Sequence, residues 1–243
     1  TTPAALANIA NVSKVLNNNK VPFGNRNLVI DPEAQAKLII LDAIAGADKS
    51  GSTDALRDAN MGRILGFNTY LDQNIKTHTK GTLAAGTGAK IQTNAAVTAG
   101  ATTIVFKSSE VAGDLTGTAK VGDVFTVEDA ASSYVITTVT ELAEGKQSCT
   151  FYPASPGFAT GKDITFVANH VANIAFHKNA FSLVNRPQAL PIGGATGYVV
   201  DYNGLSIRGT MGYTMSSKIN TVSFDILYGV KTLQPELAAR MLG

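Results

Sequence analysis

Tryptophan is absent from this 243-residue chain, cysteine occurs once and histidine three times. The side chains that carry most nucleophilic, metal and acid–base chemistry are therefore scarce. Cys149 has no partner for an internal disulfide, which fits folding in a reducing cytoplasm. There is no apolar run of 18 residues and no signal-peptide pattern, so the sequence points to neither a membrane span nor secretion. Charge of one sign is missing too: 20 Lys+Arg stand against 18 Asp+Glu, which argues against disorder and against a surface built for polyanions.

These shortages exclude specific chemistries. His170 and His177 are seven residues apart, a spacing that fits neither HExxH nor a zinc-finger pair, and no metal or cofactor is expected. The stretch from Gly81 to Lys90 has the glycines of a phosphate loop, but no Lys-Ser/Thr follows the second one. Gly204-Leu205-Ser206-Ile207-Arg208 lacks the second glycine of a nucleophile elbow, so Ser206 is expected to be an outward-facing strand residue. Asp123 and Glu128 are expected to be solvated acids of a turn-rich region, and Cys149 a small core residue. The arginines are scattered, without interleaved aromatics, which speaks against specific DNA reading.

With 44% apolar and 16% charged residues the chain is an ordinary folded protein, long enough for one large or two smaller domains. Leu6, Ile9, Val12, Val15 and Leu16 recur at helical spacing and predict a helix within residues 3–18. Asn27 to Ile30 reads as a strand, and Asp31-Pro32-Glu33 as the capped start of a helix from Pro32 to Ile44. A loop from Gly46 to Thr53, a short helix from Asp54 to Asn60 and a strand from Arg63 to Tyr70 follow.

From Thr79 the texture changes to Gly, Thr, Ala and Val, with strands expected at Thr102–Lys107, Val124–Val127, Ser133–Val139, Gln147–Tyr152 and Ile164–Val167. Five or six such antiparallel strands make a small barrel. All six arginines lie outside this stretch. Ala168 to Val184 reads as helical or mixed. Tyr198–Asp201, Leu205–Met215 and Thr221–Leu227 read as β segments, and Pro235 as the start of a terminal helix to Leu242. The fold class is α+β: a body from residues 1–78 and 169–243, interrupted by an antiparallel β-barrel at 79–168.

Three stretches carry a family resemblance: Val21 to Pro32, then Ala55-Leu56-Arg57 with Met61 to Phe67 and on to His78, then Ala175 to Phe181 with Val222 to Leu237. In this order they resemble segments of the coat proteins of tailed bacteriophages related to that of phage P22. The resemblance implies the HK97-type coat fold with an inserted β-barrel. It also implies a major capsid protein of a phage or prophage, assembled in the host cytoplasm into the pentamers and hexamers of a virion shell. Expected partners are other copies of the chain, a scaffolding protein and a portal, with packaged DNA touched only non-specifically and no membrane. Such proteins carry an N-terminal arm, an extended loop and a spine helix, so a truncated or proteolysed subunit is expected here.

Within that expectation Arg26, Arg57, Arg63, Arg186 and Arg208 are candidate interface residues, as is Arg240, because guanidinium forks suit carboxylates on a neighbour. A solvated or intrachain role is as open for each. Gly66 is expected as a bulge or close-packing site within a strand, and Gly229 as a turn residue with positive φ before the last helix. Two rivals stand beside the coat reading: a tail or host-surface binding module using the β-rich stretch, and a hydrolase with an unfamiliar motif.

Overall fold

A computed structural model describes residues 2–110, 115–130, 132–193 and 195–242. Helix α1 (Leu6–Asn18) buries Ile9, Val12 and Leu16. Its C-terminal end is closed by Arg26, whose guanidinium donates to the Asn17 side chain at 2.8 Å and to the carbonyls of Pro22 and Val21. Strand β1 (Arg26–Ile30) follows, then α2 (Pro32–Ile39), where the Asp31 carboxylate accepts from the Ala34 amide.

The helix expected to reach Ile44 stops five residues earlier. The backbone turns extended at Leu41 and restarts as α3 (Asp42–Ala45), which lets Leu41 and Ile44 fold back onto the core while Ile40 is left exposed. The expected loop at 46–53 contains one further helical turn, α4 (Ala47–Ser50), ended by left-handed Gly51. Helix α5 (Asp54–Asp58) buries Ala55.

The strand expected from Arg63 to Tyr70 is a hairpin, β2 (Arg63–Ile64) and β3 (Phe67–Leu71). Leu65 and Gly66 turn it with φ of 46° and 89°, the signature of a two-residue hairpin loop. Gly66 is thus neither a bulge nor a packing site: a Cβ there would meet nothing within 4 Å, and glycine is needed for its positive φ alone. The chain then passes through β4 (Thr77–His78).

The next six strands are β5 (Ile91–Thr93), β6 (Thr103–Ser108), β7 (Val124–Val127), β8 (Ser133–Val139), β9 (Gln147–Tyr152) and β10 (Ile164–Phe166); the last five lie within a residue of the expected bounds, and β5 is additional. They form one antiparallel sheet ordered β10-β7-β8-β9-β6-β5. A bridge between Gln92 and Asp163 brings its two edges together, so the sheet is a nearly closed barrel. Phe106, Phe125, Tyr134 and Phe151 fill it, mostly in edge-to-face pairs, with Cys149 packed among them.

The segment 168–184, expected as helical or mixed, is β11 (His170–Val171), β12 (Asn173–His177) and β13 (Phe181–Asn185). Strand β12 is sandwiched between two others, and this pairing decides its conformation over local propensity. Then come β14 (Ala195–Tyr202), β15 (Leu205–Thr214), β16 (Ile219–Ile226) and β17 (Tyr228–Thr232). Gly229 lies inside β17, opposite Val184, and makes no turn. After Pro235 a single 3₁₀ turn leads into β18 (Ala238–Met241), where a terminal helix was expected.

The body sheet, ordered β18-β12-β1-β3-β2, thus joins both ends of the chain. Its core draws on Ile9, Leu16, Leu28, Ile30, Phe67, Ala175 and Met241, while the barrel core is drawn from Leu83 to Ile164. Among the described residues no helix is long and apolar enough to cross a membrane.

Candidate interaction surface

Strands β14, β15 and β16 form a separate three-stranded antiparallel sheet, and its register decides which side chains share a face. Val200, Ile207 and Ile226 stand in one row; Tyr198, Gly209 and Phe224 make the next; Thr196, Met211 and Val222 follow. Tyr202 and Leu205 extend the face at one end and Tyr213 at the other. Tyr198 lies over Gly209 so closely that a Cβ there would sit 2.6 Å from its ring.

The opposite face carries the polar side chains. Val199, Arg208 and Asp225 share a row, as do Gly197, Thr210 and Ser223. Arg208 donates to Asp225 at 2.8 Å and to the Ala189 carbonyl at 2.7 Å, and its guanidinium holds the Asp225 carboxyl below the usual carboxylate range. Leu190 and Pro191 approach this face over Gly197. Ser206 belongs here as well. It is buried rather than outward-facing, its hydroxyl bonded to Asp201 and its amide donating to Asn185.

The usual arrangement of a half-buried sheet is inverted. The chain's own loop covers the polar side, while the large apolar side chains of the other face are 41–75% exposed. Alternation continues into β17, where Tyr228 and Val230 are exposed and Leu183 lies opposite Val230. Ten large apolar side chains between Tyr198 and Ile226, each about half exposed, leave about 10 kcal/mol of burial unrealised at the usual 1.5–3 kcal/mol per side chain. A patch of this extent on a monomer marks an interaction surface.

No family model matches this chain, and no curated protein matches its sequence.

The candidate residues from the sequence divide accordingly. Arg208 lies in the sheet, but on its covered side. Arg26 is a buried intrachain residue, with Phe23 stacked 4.7 Å from its guanidinium carbon. Arg57, Arg63 and Arg186 are exposed and form no ion pair among the described residues. Gly66 and Gly229 lie in the hairpin turn and in β17, away from the three-stranded sheet. Arg240 lies in β18, its guanidinium donating to the Gly122 carbonyl, so none of the eight supplies the apolar face, whose signal in the sequence was the alternation of large apolar residues along 198–226.

Asp123 also departs from expectation. It is buried rather than solvated, accepting from the Lys120 amide at 2.8 Å, the Gly81 amide at 3.1 Å and His78 Nε2 at 2.7 Å. Among the described residues no group of three or more His, Cys, Asp or Glu side chains could hold a metal ion. Cys149 is buried in the barrel, where burial and the Asp123 charge push its thiol up to about 12.

Proposed function

We propose that this chain is a structural subunit that works by self-association, the major coat protein of a tailed phage or prophage with an HK97-type fold, and that it performs no catalysis. The observation that carries the reading is the bare apolar face of β14–β16: a shell subunit meets its neighbours over broad repeated surfaces, and an unpaired face of this size serves that purpose. Two further features support it. The ordered resemblance to coat-protein segments spans both parts of the body, and a barrel is inserted between them, as that resemblance implies. In this reading the partners are other copies of the chain, with a scaffolding protein and a portal during assembly, and DNA is enclosed without specific contacts.

The barrel gives little to the rival reading of a host-surface module. Val121 is the only large apolar side chain it exposes among the described residues, and of its aromatic residues all but Tyr152, which meets Glu236, pack in its core.

Sedimentation velocity and negative-stain microscopy of the purified chain test the proposal. Concentration-dependent rings or shells are expected, and the double substitution Phe224→Glu with Ile226→Glu should return the protein to monomer with an unchanged circular dichroism spectrum. A chain that stays monomeric up to about 100 µM, with the face solvated by hydrogen exchange, overturns the reading.

A further inference from the structure

The other concentration of buried polar groups lies where the chain passes between the two cores. The outgoing segment β4 and the returning segment β11 pair with each other, His78 opposite His170, and their rings are 5.3 Å apart. His170 is only 1% exposed. Its Nδ1 lies 3.0 Å from the Ala168 carbonyl, so Nδ1 carries the proton and Nε2 presents a bare lone pair. That Nε2 is buried and has no hydrogen-bond partner among the described residues.

Two charged side chains face this pair. Asp123 comes from the turn before β7, and Arg240 from β18, its guanidinium donating to the Gly122 carbonyl at 2.9 Å. Gly122 itself sits against the His78 ring, where a Cβ would come within 3.1 Å. The barrel thus meets the body through Gly122 and Asp123 on one side and Arg240 on the other, with both histidines between them. Asp123 is already engaged by His78 and two amides, so no free acceptor awaits a second proton here.

We infer that the His78–His170 ribbon is an acid-sensitive hinge, in which uptake of a solvent proton at His170 Nε2 releases the barrel from its seat against Arg240 while each core stays folded. A proton on Nε2 creates a buried N–H without an acceptor and a cation beside Arg240, and both favour the arrangement in which His170 reaches water. Burial first, then the nearby His78 and Arg240, hold the imidazole below its ordinary 6.5, against the upward pull of the Ala168 carbonyl. A depressed value in the seated form means that the released form binds more protons. Seating is therefore complete above about pH 6.5 and is lost progressively as the pH falls below it. The body also buries Asp31 and His177, so unchanged far-ultraviolet circular dichroism is the check that each core stays folded over the same change. The device is independent of what the apolar face binds.

Electron–electron distance measurements between spin labels at Lys14→Cys on the body and Lys146→Cys on the barrel test it; the buried Cys149 thiol escapes labelling. One narrow distance is expected at about pH 7.5 and a broad distribution at about pH 5, with far-ultraviolet circular dichroism unchanged and His170→Gln narrow at both. Imidazole NMR should show His170 titrating over the range in which the distances broaden. An unchanged wild-type distribution overturns the inference, as does broadening without titration of His170 or equal broadening in His170→Gln. The wild-type measurements decide it even where the variant folds poorly.

Discussion

Replacing Asp123 by alanine and by asparagine should separate two kinds of loss at one buried position. One carboxylate oxygen receives His78 Nε2 at 2.7 Å and Gly81 N at 3.1 Å; the other receives Lys120 N at 2.8 Å and Gly81 N at 3.2 Å. Alanine leaves two backbone N–H groups and the histidine without acceptors in a partly buried site. At roughly 1–3 kcal/mol for each of the three orphaned groups, taken in the lower half because the bonds are only partly buried, the expected loss is about 3–5 kcal/mol. Asparagine keeps one acceptor oxygen for Lys120 and Gly81. Its NH₂ then faces His78 Nε2, which accepts once the ring shifts its proton to Nδ1, so the expected loss is only about 1–2 kcal/mol. Urea unfolding followed by fluorescence and by circular dichroism gives the totals, and hydrogen exchange at Gly81 and Lys120 locates them. A loss below about 1 kcal/mol for Asp123→Ala, or equal losses for both variants, refutes the assignment of this carboxylate as the acceptor that holds the junction turn together.

Other substitutions probe separate elements. Gly66→Ala should lower stability by about 1–2 kcal/mol because its φ of 89° disfavours a Cβ, whereas Gly229→Ala, in an extended strand with open space around it, should stay within about 0.5 kcal/mol; thermal melts compare the two. Arg26→Ala removes the donors to Asn17, Val21 and Pro22 and should cost about 2–4 kcal/mol in urea unfolding, with faster exchange at the Asn19 and Lys20 amides. Cys149, with its thiol raised to about 12, should resist alkylation at about pH 8 in the native protein and react fully in guanidinium; stoichiometric native labelling contradicts its burial.

Sequence patterns carried furthest where local chemistry and tertiary context agree. Val124–Val127, Ser133–Val139 and Gln147–Tyr152 are β-branched or aromatic runs between turn residues, and pairing in the barrel adds to the same preference. Asp31 and Pro32 mark the start of α2 because a cap acts within one turn. The failures fall where a partner distant in sequence decides. Ala238 to Met241 has the composition of a helix, but pairing with β12 makes it a strand. Asn173 to His177 alternates in burial, but its buried positions are Asn, Ala and His while Ile174 and Phe176 stay half-buried, so polarity gave no strand signal there. Asp123 gave no sign of burial, since the amides and the histidine that hold it come from residues 78–120. The apolar alternation along 198–226 was legible as strands, yet nothing local says that the polar side would be the covered one. That depends on residues 189–191 folding across it.

The pairing of β4 with β11 has a consequence for how the protein is put together. Leaving and re-entering the body at adjacent positions means that the body spans no gap when the barrel is present and would open none if it were removed. Joining Thr77 to Val171 through a two-residue Asn-Gly turn would make the crossing an ordinary hairpin and leave every register of the five-stranded sheet untouched. The barrel is attached as a cartridge is, through one slot, so its sequence can diverge, or be exchanged for another domain with adjacent termini, without rewriting the framework that carries it.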